Sequence, residues 1–177
     1  LRLLDRMSDL PAIVLSAKSD VLAWNPLAAA LFGDFSRLTP ALRNLLRQRF
    51  LGAGTDRTVI TKEESAIYAA DCVGCLRTAH AKYPRDASLT ALIAELRAGS
   101  PQFEELWRTG RSGRVRSRTT TITHPELGTL TLDCDVLYEP ETDQTVIVYS
   151  AAPTTPAASA LELLRVTGLE RFHPTRP

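Results

Sequence analysis

Val21-Leu22-Ala23-Trp24-Asn25-Pro26-Leu27-Ala28-Ala29-Ala30-Leu31-Phe32-Gly33 reads as a strand that runs straight into a helix. The apolar run ends at Trp24, Asn25 offers a side-chain oxygen as helix cap, and Pro26 takes the first helical position, where its missing N–H costs nothing. Gly33 closes the helix. A strand that delivers an aromatic ring and a capping amide to a helix start builds one wall of a pocket. Trp24 and Asn25 are therefore candidate ligand contacts, although a core anchor and a plain cap need the same residues.

Working outward, Ala12 to Leu15 and Val21 to Trp24 flank the polar turn Ser16 to Asp20 and predict a hairpin. Before it, Leu3, Leu4, Met7 and Leu10 have the spacing of a short amphipathic helix ended by Pro11. Residues 1–10 are expected to link to an N-terminal domain outside this chain. Downstream, Thr39-Pro40 signals a helix with Leu42, Leu45, Leu46 and Phe50 on one face, ending near Gly52-Ala53-Gly54. Thr61 to Glu64 forms a capping box for a third helix carrying Ile67, Ala70, Val73, Leu76, His80 and Tyr83. Leu89, Leu92, Ile93 and Leu96 mark a fourth, and Ser100-Pro101 starts a short one with Phe103, Leu106 and Trp107.

From Val115 the period shifts to two: the Thr119 to Thr123 stretch, a turn at His124 to Gly128, then Leu130, Leu132, Cys134 and Val136 alternating with polar residues. After a second turn at Glu139 to Asp143, Val146 to Tyr149 is apolar throughout, as expected of a central strand covered on both faces. A helix with Leu161, Leu163 and Leu164 follows. The order β-β-α-α-α-β-β-β predicts an α+β, PAS-like domain over residues 11–165, an antiparallel sheet of about five strands packed against a block of helices. Residues 166–177 are expected to be a disordered tail.

With 177 residues the chain suffices for one domain burying roughly two thirds of its unfolded surface. A net charge of +1 draws it globally toward neither nucleic acid nor anionic lipid. Three cysteines are too few for a secreted disulfide framework and favour the cytoplasm, and no apolar run reaches the ~18 residues of a membrane span. No G-x-S-x-G, H-E-x-x-H or phosphate-binding Gly-rich loop is present, so an enzyme is not expected, nor a cofactor or metal.

Leu22 to Pro26, Arg43 to Arg47 with Phe50, Ser100 to Phe103 with Leu106-Trp107, His124 to Gly128, and Val146 to Tyr149 with Ala152-Pro153 occur in one order at consistent spacing. Together they resemble the ligand-binding domain of MmyB-like transcription regulators over roughly Leu10 to Leu164. The resemblance implies a PAS-like domain that encloses a small apolar ligand, a fatty acid in the class associated with the family. It also implies an N-terminal helix-turn-helix domain, absent from this chain, through which alone DNA is bound; a homodimer is compatible with it. The chain departs from the family pattern at Lys62, Gly110 and Thr120, where a Trp, a His and a basic residue are usual. The rival class is a PAS-like interaction module with a filled core.

Among the charged candidates, Arg43 can clamp a carboxylate in a bidentate fork, with Asn44 as a further donor; an Arg beside an apolar face also simply snorkels to solvent. His124 suits either a turn or a ligand contact. Trp24, Leu46, Phe50, Phe103, Trp107, Leu132 and Val148 come from distant stretches yet fall on faces expected to turn inward, and such a set can line a cavity. Cys72-Val73-Gly74-Cys75 lies in mid-helix, gains little from the helix dipole, and reads as small buried side chains rather than a redox or metal site. The basic run Arg108, Arg111, Arg114, Arg116 and Arg118 reads as a solvated face.

Overall fold

The computed structural model describes residues 4–52, 58–59, 62–110 and 112–172. In chain order the elements are β1 (Ala12–Leu15), β2 (Val21–Trp24), α1 (Pro26–Phe32), α2 (Leu45–Leu51), β3 (Thr58–Val59), α3 (Lys62–Lys82), α4 (Ala87–Gly99), α5 (Pro101–Thr109), β4 (Arg118–His124), β5 (Gly128–Glu139), β6 (Gln144–Ser150) and α6 (Pro156–Phe172). The strands lie in the order β2-β1-β6-β5-β4, all antiparallel, and the two-residue β3 extends the β4 edge. This is the α+β arrangement expected, with β3 added at Thr58–Val59, where β-branched residues favour a strand.

Asn25 does cap α1, accepting from the Ala28 N–H at 2.9 Å, and Gly33 ends it with φ of 99°, a value that favours glycine. Asn25 does more than cap. Its Oδ1 also accepts from the Ala12 N–H, and its Nδ2 donates to the carbonyls of Met7 and Leu10. Those two carbonyls are thereby taken, and among the described residues of the leading segment a 3₁₀ turn at Leu4–Arg6 stands in place of the expected amphipathic helix. Likewise α2 begins at Leu45 rather than at Thr39-Pro40, because Asn44 accepts from the Leu46 and Arg47 N–H groups and so sets the first turn. The capping threonine expected at Thr61 lies outside the described residues.

The helices α2 to α5 share a core of their own, built on Leu46, Phe50, Val73, Leu76, Leu92, Leu96 and Phe103. The inward face of α3 keeps Val73 and Leu76 of the expected stripe but is completed by Ala69, Cys72 and Ala79, while Ile67 is 63% exposed. Small and polar residues on both sides of α3 leave its periodicity too weak to orient it.

Under the sheet, α1 and α6 cover Ile122, Leu130 and Leu132, and a second cluster joins Ile13, Leu15, Cys134 and Ile147 to Val21, Ala28 and Phe35. Both clusters lie on one face, since Ile13, Ile147 and Val136 are cross-strand partners. Val148, expected to turn inward, lies on the opposite face with Leu4, Ala12 and Val14. In a run that is apolar throughout, strand register rather than pattern decides which residue faces which way. The last helix runs on to Phe172, past the point where a tail was expected.

Candidate functional site

Between the helical block and the sheet lies a cavity of about 270 Å³. Leu15, Cys134, Val136, Ile147 and Tyr149 form its sheet wall, Tyr68, Cys72, Cys75 and Ala79 its α3 wall, and Leu45-Leu46 and Gly113 to Val115 close the sides. It is elongated, because Tyr68 and Lys82 both line it and stand about 21 Å apart along α3 at 1.5 Å per residue.

The Lys82 end is an ionic clamp. Asp143, on the turn joining β5 to β6, receives the Lys82 ammonium at 2.6 Å, the Tyr138 hydroxyl at 2.6 Å and the Tyr83 hydroxyl. These donors hold the Asp143 carboxyl down at about 2, with the Lys82 hydrogen bond the largest cause. The clamp ties the end of α3 to the sheet, and the Arg114 guanidinium lies 4.1 Å from the Tyr138 ring centre beside it.

The Tyr68 end is cationic. Arg118, across from Cys134 in the β4–β5 ladder, stacks on Tyr68 with its guanidinium 3.8 Å from the ring centre, and Arg49 approaches the same ring at 5.6 Å. The Nε atoms of both arginines are buried without a hydrogen-bond partner. Of the basic run only Arg118 departs from a solvated face: it is half-buried in the cavity wall, whereas Arg114, though it borders the cavity, is exposed like Arg108 and Arg116, and Arg111 lies outside the described residues.

The Cys72 and Cys75 side chains also face this space. Burial pushes the Cys72 thiol up to about 12, and Cys75, raised by the same cause, accepts the Val115 N–H at 3.1 Å. Both are neutral wall groups at physiological pH. Among the described residues no cluster of His, Cys, Asp and Glu is arranged to hold a metal ion.

Of the residues singled out from the sequence, Leu46 lines the cavity. Phe50, Phe103 and Trp107 instead form an aromatic stack inside the helical block, Phe50 meeting Phe103 edge-on at 5.1 Å and Phe103 lying parallel to Trp107 at 5.8 Å. Leu132 is buried under α1 and α6. Trp24 packs against Phe35 at 5.3 Å, and Arg43 lies over its ring at 6.0 Å while its Nε donates to the Leu38 carbonyl.

The amide of Asn44 is spent as a staple: besides capping α2, it donates to the Lys18 carbonyl and the Asp20 carboxylate. His124 accepts from the Glu126 and Leu127 N–H groups through Nδ1, which leaves Nε2–H to donate to the Ala30 carbonyl at 3.1 Å and ties the β4–β5 turn to α1. Tyr68, Arg118, Tyr138 and Asp143 were not singled out as contacts. Their only sequence signal was an aromatic or charged residue at an otherwise apolar position or turn.

No helix among the described residues is long and apolar enough to cross a membrane. No curated protein matches the chain. Residues 1–164, which include every wall of the cavity, match the MmyB-like transcription regulator ligand binding domain, and the chain belongs to that family.

Proposed function

We propose that this chain is the sensor of a bacterial, cytoplasmic transcription regulator, that its cavity holds an elongated apolar ligand such as a fatty acid, and that occupancy biases an N-terminal helix-turn-helix domain. The observation that carries the reading is the cavity of about 270 Å³ between two separately packed cores, with a wall of Leu15, Leu46, Val136 and Ile147. An interaction module with a filled core would leave no such space. A ligand lying between the cores touches both, so it favours whichever relative placement lets it touch both at once; that differential affinity is what a sensor needs. The role is binding rather than catalysis.

Calorimetric titration of the delipidated domain with decanoate tests this. Val136 is half-buried and faces the cavity, so Val136→Phe is expected to abolish binding with the fold retained. Leu132→Phe, in the core under α1 and α6, is expected instead to cost about 1–3 kcal/mol of stability by overpacking. Absence of heat with acids of every length, or undiminished binding in Val136→Phe, would refute the sensor reading.

A further inference from the structure

The two charged ends of the cavity are not equivalent. At one, Lys82 is neutralised by Asp143, whose carboxylate also receives two tyrosine hydroxyls, so that cluster is complete in itself. At the other, no ion pair among the described residues includes Arg118 or Arg49. Arg49 gives one amino group to the Ser65 carbonyl and hydroxyl, yet its Nε is buried and unpaired. Arg118 is held by stacking on Tyr68 at 3.8 Å, which fixes the plane of the guanidinium without using its N–H groups.

A buried guanidinium N–H without an acceptor is costly, and the group that best repays it is a planar anion taking two parallel hydrogen bonds. The neighbouring Cys72 is a neutral thiol and supplies no negative charge.

We propose that Arg118, oriented by Tyr68 and reinforced by the field of Arg49, is the anchor for the carboxylate of the cavity's ligand, whose apolar tail then runs along α3 toward the Asp143 clamp. This rests on the sensor reading above and deepens it: the ligand is an acid, and its polarity in the cavity is set. A carboxylate-bearing chain is thereby distinguished from an alcohol or alkane of the same shape.

The test compares decanoate with decan-1-ol, titrated calorimetrically into the delipidated domain and into Arg118→Met and Arg118→Lys. Arg118→Met keeps a side chain to cover Tyr68 and removes the charge. Decanoate is expected to bind the unaltered domain more tightly than the alcohol. It should lose about 10–100-fold in Arg118→Met, the range for a hydrogen bond to a charged group, and regain part of that in Arg118→Lys. Alcohol affinity should not change, which also reports that the variants are folded. Equal affinity of the unaltered domain for acid and alcohol overturns the anchor and leaves the sensor standing, whatever the variants do. So does unchanged decanoate binding in Arg118→Met. Failure of both ligands to bind the unaltered domain overturns both readings.

Discussion

Each methylene added to a straight-chain acid is expected to tighten binding about fourfold until the cavity is full, and then to add nothing. The step follows from ~0.8 kcal/mol per buried CH₂, which at 25 °C is a factor of about four. The limit follows from the cavity: about 270 Å³, at roughly 30 Å³ per water-sized group, accommodates about nine such groups. The slope should therefore break near nine or ten carbons. Eight buried methylenes contribute about 6–7 kcal/mol against ~1.5–3 for the charged anchor, so the tail dominates affinity while the head group sets orientation. The assay is calorimetry on the delipidated domain with acids from about six to about sixteen carbons. Affinity that rises evenly past about twelve carbons, or a plot without slope, would refute the reasoning from volume. Arg118→Met should lower the whole line without changing its slope.

Two stability predictions accompany this one. The Asp143 carboxyl sits at about 2 in the fold against 3.8 unperturbed, and its side chain is only 6% exposed. The unfolded chain therefore takes up the proton first. The clamp's contribution of about 2 kcal/mol is full above pH 4 and is lost as pH falls through 2. Asp143→Asn should flatten the acid limb of a melting-temperature profile between those values, and an unchanged limb would show that the clamp does not bear on stability. Asn25→Ala removes the α1 cap and strands the Ala12 N–H and the Met7 and Leu10 carbonyls. A loss of about 3 kcal/mol is expected in urea unfolding, and a loss under about 1 kcal/mol would mean that Asn25 is only a surface cap.

Features that depend on neighbours a few residues away were legible in the chain. Asn25-Pro26 started α1, Ser100-Pro101 started α5 with the Ser100 hydroxyl accepting the Phe103 N–H, and Leu89, Leu92, Ile93 and Leu96 faced the helical core together. The alternation of Leu130, Leu132 and Cys134 gave the buried face of β5, and the order of elements gave the α+β class. Capping, turn formation and periodicity are local, so they are written in consecutive residues.

The cavity is not local, and its walls are set by contacts between distant segments. Arg43 and Arg118 read alike as arginines beside apolar residues, but pairing with Cys134 in the β4–β5 ladder turned Arg118 into the cavity, whereas Arg43 lies over Trp24 outside it. Leu132 and Cys134 share one face of one strand, yet Leu132 packs in the cluster under α1 and α6 whereas Cys134, two residues on, belongs to the neighbouring cluster and lines the cavity. Val148 and Ile147 were separated by register with β1 and β5, not by polarity. Phe50, Phe103 and Trp107 were read rightly as inward-facing, but inward here meant the core of the helical block. Periodicity states that a side chain is buried; which of four cores or one cavity receives it depends on contacts between segments tens of residues apart, whose free energy no short window of sequence contains.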